Sequence, residues 1–305
     1  MLSGIAGHSL CLDYFGTPSF EEAEQGLSAH GEAPNSKWKA IVGQVGGNRA
    51  KLNLSLRLPV AGLQFQREIT VYKNSPVARF KETVTNEKKC DHFFHWTQHV
   101  TFGPPFLSGR ESVVSVPGTR GITSKGEKSL VVPERKFRWP FAPLCSGGDV
   151  NLEQVLVRKG FGFVASLLVD PQRDWGYVAA LNTKCGLLMA YCFRREDFPW
   201  VTIWEENRST SSAPWRKRTE ARGLEFGTTP IPSSRRETFR QGSIYDTATF
   251  AHVPARGRKI VEYLAFLVQV PGMKQIEDIC HAKKEVLVFG DKGKIVARVS
   301  LPTSV

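Results

Sequence analysis

The stretch His92-Phe93-Phe94-His95-Trp96-Thr97-Gln98-His99-Val100-Thr101-Phe102 predicts the strand on which the fold depends. Side chains alternate between the two faces of a strand. One face is mostly apolar and carries Phe94, Trp96, Val100 and Phe102. The other face is polar and carries His95, Thr97, His99 and Thr101. A strand that buries one face and presents titratable groups on the other is typical of the floor of a binding site. Gly103-Pro104-Pro105 ends this strand because proline cannot donate to a ladder.

Alternation with a period of two recurs from residue 7 to the end of the chain, and helical periodicity is scarce. Residues 51–58 alternate strictly, and residues 63–71 follow them. Further predicted strands are 38–45, 77–86, 111–117, 153–158, 161–169, 176–182, 186–194, 200–204, 219–227, 246–253, 259–270, 285–290 and 293–300. Helices are predicted only at residues 19–24 and 273–280. The pattern predicts an all-β fold, a large antiparallel β-sandwich with very few short helices, in a single domain over residues 1–305.

The formal net charge of +12 raises the question of a nucleic-acid partner. The basic residues are dispersed, apart from short clusters at 216–218 and 235–236, and no nucleic-acid-binding motif accompanies them. We therefore predict no nucleic-acid partner. A basic surface that attracts small anionic molecules, such as sugar phosphates or sugar acids, explains the charge at least as well.

The location of the protein is predicted from two further features. No apolar run approaches the length needed to span a bilayer, and the first residues lack the pattern of a secretion signal. We predict a cytoplasmic protein with no membrane partner.

The six cysteines are scattered and contain no C-x-x-C pair, which predicts reduced and mostly buried thiols. The oligomeric state stays open.

Three residues are candidates for a functional site. Glu225 lies between Gly223 and Gly227 on a predicted strand, where the glycines leave room for a ligand; a solvated surface glutamate is the ordinary alternative. His30 lies in a glycine-containing loop that could equally be a simple turn. Arg67 lies on an otherwise apolar strand face and needs an acceptor if it is buried. A structural ion pair explains Arg67 as well as a ligand does.

A metal site and a sugar-stacking site are two further hypotheses. The spacing of His92, His95 and His99 would gather all three on one face of a helix, as zinc could require. The surrounding aromatic and β-branched residues favour a strand, where His92 points away from the other two, so we predict no metal. Trp204 and Trp215 flank a polar loop. Sugar rings stack on indoles, although packing explains Trp204 about equally well.

Three segments, in this order, resemble a known family. His30-Gly31, Gln98-His99-Val100-Thr101-Phe102-Gly103 and Gly223-Leu224-Glu225 are similar to segments of the aldose 1-epimerases, the galactose mutarotase-like proteins, and most similar to their less-studied bacterial branches. The resemblance implies a large β-sandwich whose curved sheet holds a monosaccharide. It also implies that Glu225 is the general base and His99 the general acid.

The resemblance assigns substrate-binding roles to further residues. It implies that His30 orients or polarises the sugar and that Arg67 contacts a hydroxyl group. The other candidate substrate-binding residues are His95, Trp204, Glu205 and Asn207.

The implied reaction is the interconversion of anomers. A base removes the proton of the anomeric hydroxyl while an acid protonates the ring oxygen, and reclosure after rotation about C1–C2 gives the other anomer. A carboxyl group and an imidazole, with unperturbed pKa values of about 4.3 and about 6.5, suit these proton transfers. No cofactor or metal is required. The alternatives are a non-catalytic carbohydrate-binding protein of the same fold and a metal enzyme that uses His95 and His99.

Overall fold

The chain folds into two large antiparallel sheets that face each other, in a computed structural model that describes residues 7–126, 129–213 and 215–302. One sheet has ten strands and the other has eight. A three-stranded sheet packs on the outer face of the eight-stranded sheet, where the two share a separate apolar cluster. The fold is therefore the all-β sandwich that the alternation predicts.

The described residues contain short and long strands and only two α-helices. In chain order the strands are β1 (His8–Asp13), β2 (Lys39–Gly46), β3 (Arg49–Leu58), β4 (Leu63–Tyr72), β5 (Val77–Asn86), β6 (His92–Phe102), β7 (Ser112–Ser115), β8 (Gly118–Thr123), β9 (Lys136–Arg138), β10 (Phe141–Pro143), β11 (Asp149–Asn151), β12 (Phe161–Val169), β13 (Trp175–Asn182), β14 (Leu187–Arg194), β15 (Trp200–Asn207), β16 (Glu220–Gly227), β17 (Ser243–Ile244), β18 (Thr247–Ala248), β19 (Ala251–Val253), β20 (Arg258–Gln269), β21 (Asp278–His281), β22 (Glu285–Gly290) and β23 (Lys294–Ser300). The helices are α1 (Phe20–Glu24) and α2 (Arg235–Gln241).

The order of the strands places β6 inside the ten-stranded sheet. That sheet runs β1-β6-β16-β15-β12-β8-β9-β10-β11, and β19 pairs with the beginning of β6. The eight-stranded sheet runs β2-β3-β4-β5-β20-β14-β13-β7. Neither helix exceeds 7 residues, and within the described ranges no helix has the length and apolar character to cross a bilayer.

The main apolar core lies between the inner faces of the two large sheets. Phe94 and Trp96 of β6 are fully buried there, as the alternation predicts. The Trp96 ring meets the Phe65 ring of β4 edge to face, with 6.3 Å between the ring centroids. Complete burial of a large apolar side chain contributes roughly 1.5–3 kcal/mol, so these contacts hold the two sheets together.

A cluster of polar groups, the Glu82 cluster, also crosses the space between the sheets. The fully buried Glu82 carboxylate accepts hydrogen bonds from Arg67 Nε at 2.6 Å and Gln98 Nε2 at 2.6 Å. It also accepts bonds from Trp96 Nε1 at 3.2 Å and from the Tyr263 hydroxyl at 2.7 Å. Arg67 Nη2 donates to Gln98 Oε1 at 2.9 Å. The buried charge of each partner is thus matched, as a buried ion pair requires.

Two of the predicted elements are wrong. Residues 273–280, predicted as a helix, form an irregular segment that leads into β21. Ile276 and Ile279 are buried against the outer face of the eight-stranded sheet, and pairing with β22 competes successfully with the weak helical pattern. Residues 153–158, predicted as a strand, form turns with one isolated bridge at Gln154, because the Glu205 carboxylate binds the backbone N–H groups of Leu156 and Val157.

Other predictions on secondary structure and cysteines have mixed outcomes. The helix at residues 19–24 is confirmed, and a capping box between Ser19 and Glu22 begins it. The sequence analysis missed α2, although Ser234 and Glu237 form the same capping signal. Residues 246–253 form two short strands, not one. All six cysteines are free, but only Cys11 and Cys192 are buried, so the prediction of mostly buried thiols is wrong.

Removal of the Arg67 side chain tests the Glu82 cluster. We expect Arg67→Met to lower the free energy of unfolding by about 3–5 kcal/mol, because it leaves the buried Glu82 carboxylate without its cation. Urea unfolding measures the change. The control is Arg57→Met, which breaks the exposed pair with Glu87 and should leave the midpoint nearly unchanged. Equal stability of both variants would contradict this account of the cluster.

Candidate functional site

The outer face of the ten-stranded sheet, here called the site face, brings His99 and Glu225 together. The two residues are direct partners in the antiparallel register of β6 and β16, so their side chains lie on the same face. His99 Nε2 lies 3.2 Å from Glu225 Oε1. His99 Nδ1 lies 3.0 Å from the hydroxyl oxygen of Thr101. The side chain of His99 is 3% exposed and that of Glu225 is 2% exposed, so the pair is nearly sealed from solvent.

Two glycines of β16 allow this arrangement. A Cβ atom at Gly223 would collide with the carboxyl group of Glu225, so the space that we expected to admit a ligand is filled by Glu225 itself. A Cβ atom at Gly227 would lie 2.5 Å from Thr97 Oγ1 and 2.7 Å from the Trp96 carbonyl oxygen. Gly227 therefore lets β16 approach β6 closely.

Partly exposed rings surround the buried pair. The His30 ring lies 5.6 Å from the His99 ring, and the Trp204 ring lies 5.9 Å from it. Trp215, from the loop after β15, packs on Trp204 with 5.6 Å between the ring centroids. The sulfur of Cys11 lies 3.4 Å from His30 Nδ1. The predicted residues His30 and Trp204 thus lie beside His99 and Glu225.

The position of His30 depends on the glycine that follows it. Gly31 has φ +81°, and a Cβ atom there would collide with the Leu12 carbonyl oxygen. Gly31 and Leu12 form an isolated β-bridge. This contact holds the His30 loop against the end of β1. The glycine that follows His30 in the sequence is therefore required by the close packing of the two backbones.

Burial controls the electrostatics of the site. Burial, and to a smaller extent the nearby His30, lowers the pKa of His99 to about 3. Burial raises the pKa of Glu225 well above its usual range. Both effects disfavour charge, so we infer that the pair is neutral, with the Glu225 hydroxyl donating to His99 Nε2. Nδ1–H of His99 then donates to the Thr101 hydroxyl oxygen, a tautomer that this network assigns.

Cys11 is a member of the site that the sequence analysis did not identify. Burial raises the pKa of its thiol well above the ordinary value, and the nearby Glu225 carboxyl raises it further. Its approach to His30 depends on the bridge between Leu12 and Gly31, which holds the His30 loop against β1. No local pattern around Cys11 indicates that contact.

His95 lies on the site face but not beside the Glu225 carboxyl. Its Nδ1 accepts a hydrogen bond from the backbone N–H of Phe15 at 3.1 Å, and its ring lies 5.3 Å from that of Tyr14. Within the described ranges, His95 Nε2 and the neighbouring Thr97 hydroxyl have no hydrogen-bond partner, although both are buried. These two polar groups continue the site face along β6, from His99 toward the beginning of that strand.

Three predicted substrate-binding residues lie on the inner face of the same sandwich. Arg67 binds Glu82 and Gln98 in the Glu82 cluster, so the structural ion pair explains it. Glu205 forms a buried ion pair with Arg222. The side chain of Asn207 is buried on the same face as that of Glu205, because the two are separated by two positions on β15. Alternation turns Glu205 and Asn207 away from His99, and Arg67 belongs to the other sheet, so none of the three lies beside His99, contrary to our expectation.

The histidines are also not arranged as metal ligands. His92 Nε2 lies 2.9 Å from Asp13 Oδ2, and Asp13 also binds Arg235. Among the residues that the structure describes, no group of three or more His, Cys, Asp or Glu side chains could hold a metal ion. His92 points to the opposite side of β6 from His95 and His99, as the strand interpretation predicts.

Solved structures of other proteins share this large β-sandwich fold. No protein-family model and no curated protein sequence matches the chain. A galactose mutarotase-like protein from Clostridium acetobutylicum is 12% identical, with a TM-score of 0.60 over 88% of this chain and 80% of that chain. A candidate aldose 1-epimerase from Escherichia coli K12 is 11% identical, with a TM-score of 0.58 over 87% of this chain and 84% of that chain.

A third similar structure is that of a longer protein. A candidate aldose 1-epimerase from Klebsiella pneumoniae is 13% identical, with a TM-score of 0.60 over 86% of this chain. The match spans 62% of the Klebsiella protein, which is less than two thirds of its length. These similarities identify the architecture. The chain has the galactose mutarotase-like fold, and the resemblance found in the sequence is confirmed at that level.

The buried histidines predict how stability depends on pH. Burial lowers the pKa of His8, His95 and His99 to about 3 and that of His30 to about 4. Each unfolded histidine binds a proton below about pH 6.5, whereas the folded one does not. Each therefore contributes stability that is present above pH 6.5 and is lost as the pH falls toward the folded pKa. The raised pKa of Glu225 acts in the opposite direction, because its contribution is lost as the pH rises.

We expect the free energy of unfolding to decrease as the pH falls from 6.5 to 4.5. Five histidines with lowered pKa values, these four and His281, outweigh the three carboxyl groups with raised pKa values, Glu225, Glu153 and Asp197. Each net histidine contributes a slope of about 1.4 kcal/mol per pH unit. Urea unfolding at a series of pH values measures the slope. His95→Gln should make it shallower, whereas the control His252→Gln, at a half-exposed histidine, should leave it unchanged. A wild-type slope near zero would contradict the burial argument.

Proposed function

We propose that the protein is an aldose 1-epimerase-like sugar isomerase in which His99 and Glu225 exchange protons with the sugar. The observation that carries the proposal is the direct contact of a buried imidazole and a buried carboxyl group on the site face. Cross-strand pairing holds the backbones of both residues in a fixed register, which sets the geometry for proton transfer. The fold similarity to candidate aldose 1-epimerases supports the same chemistry.

The reaction opens and recloses the ring of a free sugar. The base takes the proton of the C1 hydroxyl, the O1–H electrons form the C1=O bond, and the C1–O5 bond breaks as the acid protonates O5. Rotation about C1–C2 and the reverse steps give the other anomer. The neutral pair supports Glu225 as the proton donor and His99 as the acceptor. This is the reverse of the roles that the family resemblance implies, and either direction completes the same cycle.

Sugar entry requires the pair to separate. A distance of 3.2 Å between His99 Nε2 and Glu225 Oε1 leaves no space for a pyranose ring between them. Hydroxyl groups of the sugar can replace the mutual hydrogen bond, since they donate and accept equally well. Trp215 lies on the loop after β15, where residues 211–213 and 216–218 are exposed. Movement of this loop would uncover Trp204 and give access to the pair.

The beginning of that loop is fixed. The Glu206 carboxylate accepts hydrogen bonds from the backbone N–H groups of Ser209 at 2.6 Å and Thr210 at 3.0 Å. It also accepts bonds from both hydroxyl groups, at 2.6 Å and 2.8 Å. The backbone N–H of Lys217 also donates to the Thr210 carbonyl oxygen at 2.8 Å, so both sides of the loop base are held and the movement that we propose involves the segment between Thr210 and Lys217.

The ligand that we propose is a small free carbohydrate. One face of the sugar ring would pack on the indole rings of Trp204 and Trp215, since the C–H faces of sugars stack on indoles. The net charge of +12 favours a sugar that carries a phosphate or carboxylate group.

Conservative substitutions test the catalytic assignment. We expect Glu225→Gln and His99→Gln each to lower the rate of anomerisation by about 10²–10⁴-fold, because each removes one proton-transfer group. NMR exchange spectroscopy on a panel of free aldoses measures the rate. The control is Glu220→Gln, the same change on the same strand, where the side chain pairs with the partly exposed Arg208. Unchanged anomerisation by Glu225→Gln would refute the assignment.

The near-complete burial of the pair favours a second candidate, a non-catalytic carbohydrate-binding protein. In that case His99 and Glu225 serve only to hold β6 against β16. Tryptophan fluorescence with the same sugars separates the two functions. A binding protein retains its sugar affinity in Glu225→Gln and shows no turnover in the wild type, whereas Trp215→Ala weakens binding in both cases. Turnover in the wild type would exclude this second function.

A further inference from the structure

A groove lies on the opposite side of the molecule from the site face. It follows the outer face of the eight-stranded sheet, where the three-stranded sheet ends. Its volume is about 500 Å³, within the range of small-molecule sites. The residues that matter for its chemistry are Arg79, Trp175, Arg194, Glu262, His281 and Lys283.

The first cation of the groove is held by aromatic rings. Arg194 and Trp175 are direct partners in the register of β14 and β13. The guanidinium carbon of Arg194 lies 4.4 Å from the Trp175 ring centroid. The His281 ring stacks on Trp175 with 3.6 Å between centroids and an interplanar angle of 3°. Stacking orients the guanidinium group and leaves its N–H donors available. In the described ranges, Arg194 forms no ion pair.

The second cation is Arg79 of β5. Its Nη2 donates to the Pro302 carbonyl oxygen at 2.8 Å, but its Nε is buried without a partner in the described part of the chain. A buried guanidinium N–H is stabilised by an acceptor, so Arg79 Nε is a candidate donor to an oxyanion in the groove. Burial lowers the pKa of His281, and the charges of Arg194 and Arg79 lower it further, so both guanidinium groups lie near this ring.

The acids of the groove have their own partners. Glu262 lies 3.6 Å from Lys81, and Asp197 lies 3.3 Å from Lys259. The Asp197 carboxyl group also lies within electrostatic reach of Arg194. The lining nevertheless holds three cations, Arg79, Arg194 and Lys283, against these two acids, so the groove carries an excess of positive charge. Guanidinium groups match the oxygens of phosphate, sulfate and carboxylate groups in charge and geometry.

We propose that this groove is a second ligand site, which binds a small molecule through an oxyanion group held by Arg79 and Arg194. The site is separate from the His99–Glu225 pair, because the two lie on different sheets and face opposite directions. It does not depend on the proposed isomerase activity. Lys283 at the rim contributes attraction at longer range.

Binding of inorganic phosphate tests the site in the intact protein at low ionic strength. We expect calorimetry to detect binding to the wild type and to show at least a tenfold weaker affinity in Arg194→Glu. The matched control is Arg258→Glu, which removes an exposed cation from the outer face of β20, outside the groove, and should change affinity less than twofold. The same calorimetric titration is carried out with glucuronate and with glucose. A stronger response to phosphate or to glucuronate identifies the preferred oxyanion, and glucose should not bind.

A second readout concerns His281 itself. NMR titration of its ring should show that phosphate raises its pKa, because a bound anion offsets the charges of Arg79 and Arg194. Arg194→Gln should reduce this rise. The proposal is overturned if phosphate does not bind, if both charge reversals weaken binding equally, if glucose binds as tightly as phosphate, or if the pKa of His281 does not respond.

Discussion

The register of β6 against β16 is the constraint on which both the core and the candidate site depend. His99 lies opposite Glu225. The next pair along the two strands, Gln98 and Phe226, therefore points toward the eight-stranded sheet. A shift of one residue would turn one of the two strands over, and would either bury the His99 imidazole in the apolar core or expose Phe226. Gly227 permits this register because any side chain there would collide with β6. One backbone alignment therefore sets the packing and the chemistry together.

Two buried acidic residues, one between the sheets and one on the site face, show how the surroundings of a carboxyl group decide whether its charge is compensated or avoided. Glu82 lies between the sheets with an arginine and three further hydrogen-bond donors, so its charge is compensated. Glu225 lies on the site face, where its neighbour is an imidazole that burial also keeps neutral. The first arrangement joins two sheets. The second leaves a proton that can be transferred, which is why we propose acid–base chemistry on the site face and not in the core.

Sequence reasoning succeeded where a local pattern has one structural meaning. Alternation along β6 correctly separated Trp96 from His99, and a capping signal correctly located α1. It failed where distant contacts compete with a local pattern. The Glu205 carboxylate turns residues 153–158 away from a strand, and pairing with β22 draws residues 278–281 out of a helix. Trp204 and Glu205 could not both have faced one ligand, since adjacent strand residues point in opposite directions.

By itself, the sequence determined that the protein is a β-sandwich and that imidazole and carboxyl groups lie on the polar faces of separate strands. Period-two alternation is a local property of the sequence, so it predicts strands even when the strands with which they pair are unknown. The tertiary structure alone decided that His99 touches Glu225, that Arg67 serves the core, and that the Cys11 thiol lies beside His30. These contacts join segments separated by many residues. Their distances, and the burial that keeps the pair neutral, exist only once the sheets have packed.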